Sequence, residues 1–170
     1  GGWRAERAGV AGEYWMVFRA VKSICCLRKV RGTHTGAAPT APEVVRFSRK
    51  MGVALIEVYG MTESSGMVTG QRVHDEVVGT VGPVTAGVEH RVADNGELQI
   101  RGEMVFAGYY KSPEATAQTI VDGWLHTGDV VREEGGQIRI VDRLKDIMIT
   151  AGGKNLTPSE IENAMKASPY

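Results

Sequence analysis

The run "VALIEV" at residues 53–58 constrains the fold of this chain more than any other stretch. It is short, apolar and β-branched, as a strand buried on both faces should be. Before it, "THTGAAPTAPEVVRFSRKM" turns at Gly36 to Pro39 and then sets Val44, Val45 and Phe47 among Arg46, Arg49 and Lys50. That pattern predicts an amphipathic helix capped by Thr40, with Pro42 in its first turn. Helix, strand and loop in this order predict an α/β unit, in which ligands sit beyond the carboxyl ends of parallel strands.

"YGMTESSG" (59–66) falls at such an end. Tyr59 offers a flat face for a purine, and Gly60 permits close backbone approach. Thr62 and Ser64 offer hydroxyl donors to phosphate. Glu63 offers the hard oxygen ligand that Mg²⁺ prefers. A nucleotide–metal site explains this stretch, and so does a capped turn with a solvated glutamate.

After Gly79 the pattern changes to alternation. "VEHRVADNGELQIRG" predicts a hairpin turning at Asp94, Asn95 and Gly96. Ser112 and Pro113 open a short helix. "GWLHTGDVV" and "GQIRIVDR" predict two strands flanking "REEGG". In "LTPSEIENAMKA", Thr157 and Glu160 form a capping box with Pro158 at the first helical position. Upstream, "YWMVFRAVKSICCL" (14–27) reads as a helix. Its adjacent Cys25 and Cys26 are expected to be buried, small and apolar, in a reducing compartment.

Several function classes fall away. Lys plus Arg equals Asp plus Glu at 20 each, so no basic excess points to nucleic acid. No apolar run approaches the ~18 residues of a membrane span, and no secretory leader is evident. A cytoplasmic location is the expectation. The chain has no G-x-x-x-x-G-K-[ST] loop, no G-x-S-x-G elbow, no H-E-x-x-H and no zinc-spaced Cys/His set.

Three further stretches bear on a nucleotide. "GAAP" (36–39) would let a flat base lie against backbone. "LHTGD" (125–129) ends in Asp129, suited to bridging two ribose hydroxyls. "VDRLKDIMITAGGKNLTPSEIE" (141–162) mixes charge alternation with a double glycine. Taken singly, they also read as a loop, an Asp turn, and an edge hairpin before a capped helix.

In order, "TGAAP", "EVYGMTES", "GELQIRGEMVFAGYYKSPEAT", "DGWLHTGDV" and "GQIRIVDRLKDIMITAGGKNLTPSEIE" resemble the successive core motifs of the adenylate-forming (AMP-binding) superfamily. The wording is most similar to long-chain fatty acyl-CoA synthetases, and the resemblance covers about residues 30–170. It implies a mixed α/β (α+β) fold. Residues 1–143 would be the late part of the large domain, a parallel-sheet piece plus a β-barrel-like piece. Residues 144–170 would be the hinge and the start of the small C-terminal domain.

The resemblance also implies chemistry. A carboxylate attacks the α-phosphate of Mg·ATP, giving acyl-AMP, and the thiol of coenzyme A then forms the thioester. Gly36, Ala37, Ala38 and Pro39 would lie beside the adenine, with Tyr59 stacked on it and Gly60 close by. Thr62 would contact the α-phosphate and Glu63 would hold Mg²⁺. Asp129 would bind the ribose hydroxyls, assisted by Arg143. Lys145 corresponds to the hinge, and Gly152 and Gly153 to the turn lining the pantetheine channel. The partner is a fatty acid, and peripheral membrane contact stays open.

Two family motifs are missing from these 170 residues: an upstream Ser/Thr/Gly-rich phosphate loop and a late C-terminal lysine. The expectation is a slice of a longer ligase, or one completed by a chain carrying the missing motifs. The alternative is a non-catalytic remnant serving as a nucleotide-binding or interaction fragment.

Overall fold

The structure is a computed structural model that describes residues 17–38, 40–73, 77–149, 155–156, 158 and 165. Its first part is a three-stranded sheet in the order β1-β2-β3. β1 (Thr33–Thr35) runs parallel to β2 (Leu55–Met61). β3 (Gly66–Gly70) returns antiparallel to β2. The strand forecast at 53–58 therefore exists two residues later, and Tyr59, Gly60 and Met61 belong to it. Gly60 makes this hairpin feasible, because a Cβ there would overlap the Gly66 carbonyl.

Helix α1 (Arg19–Ile24) ends three residues before the sequence pattern suggests. Left-handed backbone at Cys26 (φ 58°) stops any continuation. Cys25 and Cys26 are exposed, which corrects the expectation of burial. Helix α2 (Pro42–Lys50) has Ala41 as its cap. Thr40 does not cap it; its hydroxyl hydrogen-bonds that of Thr35 at 3.0 Å. The buried side of α2 centres on Val45, while Val44 and Phe47 face out. Phe47 instead meets Phe18 edge-on at 6.1 Å.

The second part is an antiparallel sheet ordered β4-β5-β7-β6, with β8 paired to β7. The predicted hairpin is β4 (Glu89–Val92) and β5 (Glu97–Arg101), turning through Gly96 at φ 82°. Helix α3 (Pro113–Thr119) leads into β6 (Ile120–Val121). β7 (Trp124–Glu134) and β8 (Gln137–Arg143) form the second predicted hairpin. Gly135 and Gly136 turn it, both at positive φ, as a tight two-residue turn requires.

Bridges Thr69↔Val84 and Gly82↔Ile138 stitch the two sheets together. Between them lies one core: Val68, Leu98, Ile100, Leu125, Val131 and Ile138. The two-residue strands β9 (Met148–Ile149) and β10 (Asn155–Leu156) pair antiparallel beyond it. The expected cap at Thr157 and Glu160 lies outside the described residues. The fold is thus mixed α/β: one parallel strand pair, then an antiparallel sheet curling back onto it. Among the described residues, no helix is long and apolar enough to cross a membrane.

Candidate functional site

β1 ends at Thr35, opposite Glu57, while β2 continues to Met61. The crevice there has a volume of about 280 Å³, near the lower end for small-molecule sites (~300 Å³). Its rim comes from the loop after β1, with Gly36, Ala37 and Ala38. Ala37 sits at φ 67°, a conformation a side chain rarely adopts. A Cβ on Gly36 would come within 2.8 Å of the Val58 carbonyl, so that loop lies directly on β2.

Tyr59 and Gly60 on β2, Asp129 on β7 and Arg143 on β8 line the same crevice. The Tyr59 hydroxyl donates to Asp129 Oδ2 at 2.6 Å. Arg143 Nε lies 2.9 Å from Asp129 Oδ1, because Asp129 and Arg143 stand opposite each other in the β7–β8 ladder. Asp129 is buried. That burial raises its carboxyl pKa above the ordinary value, while the Tyr59 hydrogen bond and the Arg143 charge oppose the rise. Burial pushes the Tyr59 phenol upward as well, and the neighbouring Asp129 charge adds to it.

Asp129 reaches the crevice through a break in the strand. β5 and β7 pair Gln99 with His126 and Glu97 with Val130, so Leu98 alone stands opposite Thr127, Gly128 and Asp129. Gly128 adopts φ 69° at this bulge. Bulges re-aim side chains in this way.

Glu63 lies beyond β2 in the one-turn segment Thr62–Ser64, where Thr62 is exposed. The Tyr109 hydroxyl donates to Glu63 Oε1 at 2.7 Å, and the Phe106 N–H donates to the Glu63 carbonyl at 2.8 Å. Neither Thr62 nor Glu63 lines the crevice that holds Tyr59. Among the described residues, no group of three or more His, Cys, Asp or Glu could hold a metal ion. A lone carboxylate of this kind suits a metal that keeps its waters and takes its other ligands from phosphate, as Mg²⁺ does. Lys145 sits exposed in the turn Leu144–Asp146, directly after β8. Pro39, Gly152 and Gly153 lie outside the described residues.

Sequence reasoning missed Glu57. It is buried within the strand and lines the crevice. Desolvation raises its pKa, opposed by hydrogen bonds from the Gly79 and Thr40 backbones and by the charges of Arg49 and Arg139. The available signal was a charged residue inside an otherwise apolar run, since such residues are seldom buried without a partner.

Residues 9–110 match the family described as AMP-binding enzyme. A long-chain-fatty-acid–CoA ligase of Mycobacterium bovis is 40% identical over 140 residues, covering 82% of this chain and 23% of that protein. A Drosophila melanogaster long-chain-fatty-acid–CoA ligase, heimdall, is 38% identical over 164 residues, covering 91% and 24%. Among solved structures, ATP-bound MatB from Rhodopseudomonas palustris superimposes with a TM-score of 0.74 at 37% identity, covering 82% of this chain and 30% of that one. The chain spans about a quarter of the length of the curated relatives it matches.

Proposed function

The chain belongs to the AMP-binding enzyme family, and from that premise we propose that its crevice receives the adenosine part of ATP in an acid–thiol ligase. The substrate of the whole protein is a fatty acid, activated to acyl-AMP and passed to coenzyme A. Names of the relatives support this assignment.

The observation that carries the reading is the convergence of Tyr59, Asp129 and Arg143 beside the small residues Gly36, Ala37 and Ala38. Asp129 is held by a phenol on one oxygen and a guanidinium on the other. Each carboxylate oxygen keeps a lone pair free, so the group can accept two vicinal hydroxyls. Gly36 to Ala38 leave room for a flat base. Glu57 supplies a buried acceptor for an exocyclic amine.

Glu63 would hold Mg²⁺, which when bound neutralises phosphate charge. The chain's own contribution there is the Tyr109 hydrogen bond that orients the carboxylate. Lys145, exposed directly after β8, is the hinge between a large domain ending at 143 and a small domain beginning at 144. Positioning and electrostatics, rather than covalent catalysis, are the work such a site performs.

The test is calorimetric titration of the chain with AMP, beside Asp129→Ala. Saturable binding that the substitution abolishes supports the reading. Binding that survives Asp129→Ala, or no binding by a folded chain, refutes it.

A further inference from the structure

We propose that Glu97 is a positioning residue: it clamps the Thr127–Asp129 bulge from the neighbouring strand and so aims Asp129 into the crevice. The inference rests on the adenosine reading of that crevice.

Glu97 is buried, with 5% of its surface exposed, although its side chain points away from the apolar core that Leu98 and Ile100 enter. Both oxygens of its carboxylate are engaged. Oε1 accepts the Gly128 N–H at 3.0 Å. Oε2 accepts from His126 Nδ1 at 2.9 Å and from Gln99 Nε2 at 3.2 Å. Gln99 is held in turn by Arg91 Nε, 2.7 Å from its Oε1. The bulge is tied at its other polar groups too. The Thr127 hydroxyl donates to the Leu98 carbonyl at 2.7 Å and accepts the Asp129 N–H at 3.1 Å.

A buried carboxylate is a poor device for stability alone, since apolar groups of similar volume do as well or better. What it does here is specific. A three-residue bulge has lost its ladder partners, and its central N–H, at left-handed, half-buried Gly128, is left to an acceptor outside the ladder. A long acidic side chain from the facing strand supplies that acceptor without adding a donor. The same bulge carries Asp129 out of the strand's regular alternation. Glu97 touches no ligand and acts through Asp129.

The test uses the full 170-residue chain and compares AMP with 2′,3′-dideoxy-AMP, which lacks both ribose hydroxyls. In Glu97→Gln an amide nitrogen replaces either the oxygen that accepts the Gly128 N–H or the one facing Gln99 Nε2 and His126 Nδ1. AMP affinity should fall about tenfold, the scale of one displaced hydrogen bond to a charged group. Affinity for the dideoxy analogue should hold within about twofold. In an Asp129→Asn background, Glu97→Gln should add no further loss, because coupled residues are non-additive. Equal losses for both nucleotides, or additive losses in the double variant, overturn the proposal. Glu97→Asp, which retracts the carboxylate but keeps its charge, replaces Glu97→Gln if the latter does not fold. A wild-type chain that binds no AMP defeats the functional reading alone. The positioning claim is then read from the ¹³C resonance of the Tyr59 phenol carbon, assigned by its loss in Tyr59→Phe. Glu97→Gln should move that resonance as Asp129→Asn does, and an unmoved resonance overturns the claim.

Discussion

The hydroxyl of Tyr59 on β2 donates to Oδ2 of Asp129 on β7 across 2.6 Å, joining the first sheet to the second at the crevice. The two residues lie seventy positions apart in sequence. Each answers a different need. Asp129 is desolvated and gains a donor, and Tyr59 is half-buried and finds an acceptor.

Tyr59→Phe keeps the ring and removes the donor. The variant should lose about 1–2 kcal/mol of stability, as expected when a hydrogen bond to a charged group is broken. AMP binding should weaken because Asp129 is left with Arg143 alone. Urea denaturation and calorimetry check the two effects. Unchanged values for both would mean that the hydrogen bond does not form in solution.

Glu57 gives a pH-dependent prediction. Its pKa is raised by burial, so the folded state holds the proton more tightly than the unfolded chain. Its contribution to stability is therefore full below the ordinary carboxylate range, about pH 4, and is lost as pH rises through the raised value. Glu57→Gln should melt higher than wild type near neutrality, and the difference should vanish on acidification. Thermal melts at the two pH values decide it. A gap that widens in acid would show that Glu57 is stabilised as the anion.

Glu63→Gln separates metal from nucleotide. The variant should lose the Mg²⁺-dependent part of ATP affinity, while metal-free AMP binding stays within about twofold. Tyr109→Phe should act in the same direction and more weakly, because its hydrogen bond to Glu63 is exposed. Titrations with ATP, with and without Mg²⁺, measure both. Equal losses with and without the metal would place Glu63 among groups that shape the loop.

Gly60→Ala tests the β2–β3 hairpin. The new methyl would collide with the Gly66 backbone, which cannot yield without breaking the ladder. A loss of about 3 kcal/mol or more is expected, at the severe end for single substitutions. A well-folded Gly60→Ala with an unchanged denaturation midpoint would mean the two strands sit farther apart.

Local signals reached a long way in this chain. Asp94-Asn95-Gly96 and Gly135-Gly136 each announced a turn, because left-handed backbone is a local property that few residues tolerate. The apolar run 53–58 announced a strand, although Tyr59, Gly60 and Met61 extend it, because pairing with β3 continues the ladder past the apolar residues. Of the residues the ordered motifs marked, Gly36, Ala37, Ala38, Tyr59, Gly60, Asp129 and Arg143 line one crevice, whereas Thr62 and Glu63 lie outside it. Local signals failed where burial depends on a neighbour. Val44 and Phe47 looked like a core face, yet Val45 alone is fully buried. The cysteines looked buried and are exposed.

The sequence by itself determined the strand after residue 53, the helices opening at Pro42 and Pro113, the two hairpins with their turns, and the family, because these follow from side-chain period, backbone freedom and motif order. The short strands β1, β3 and β6 carry no such local signal. The tertiary structure decided which groups meet. Glu57, a charge in an apolar run, became a crevice wall only when β1 and the 79–81 segment closed beside it. Asp129 faces Tyr59 only because the bulge beside Leu98 breaks the alternation of β7. Contacts between strands far apart in the chain are set by register, and register is a property of the assembled sheet.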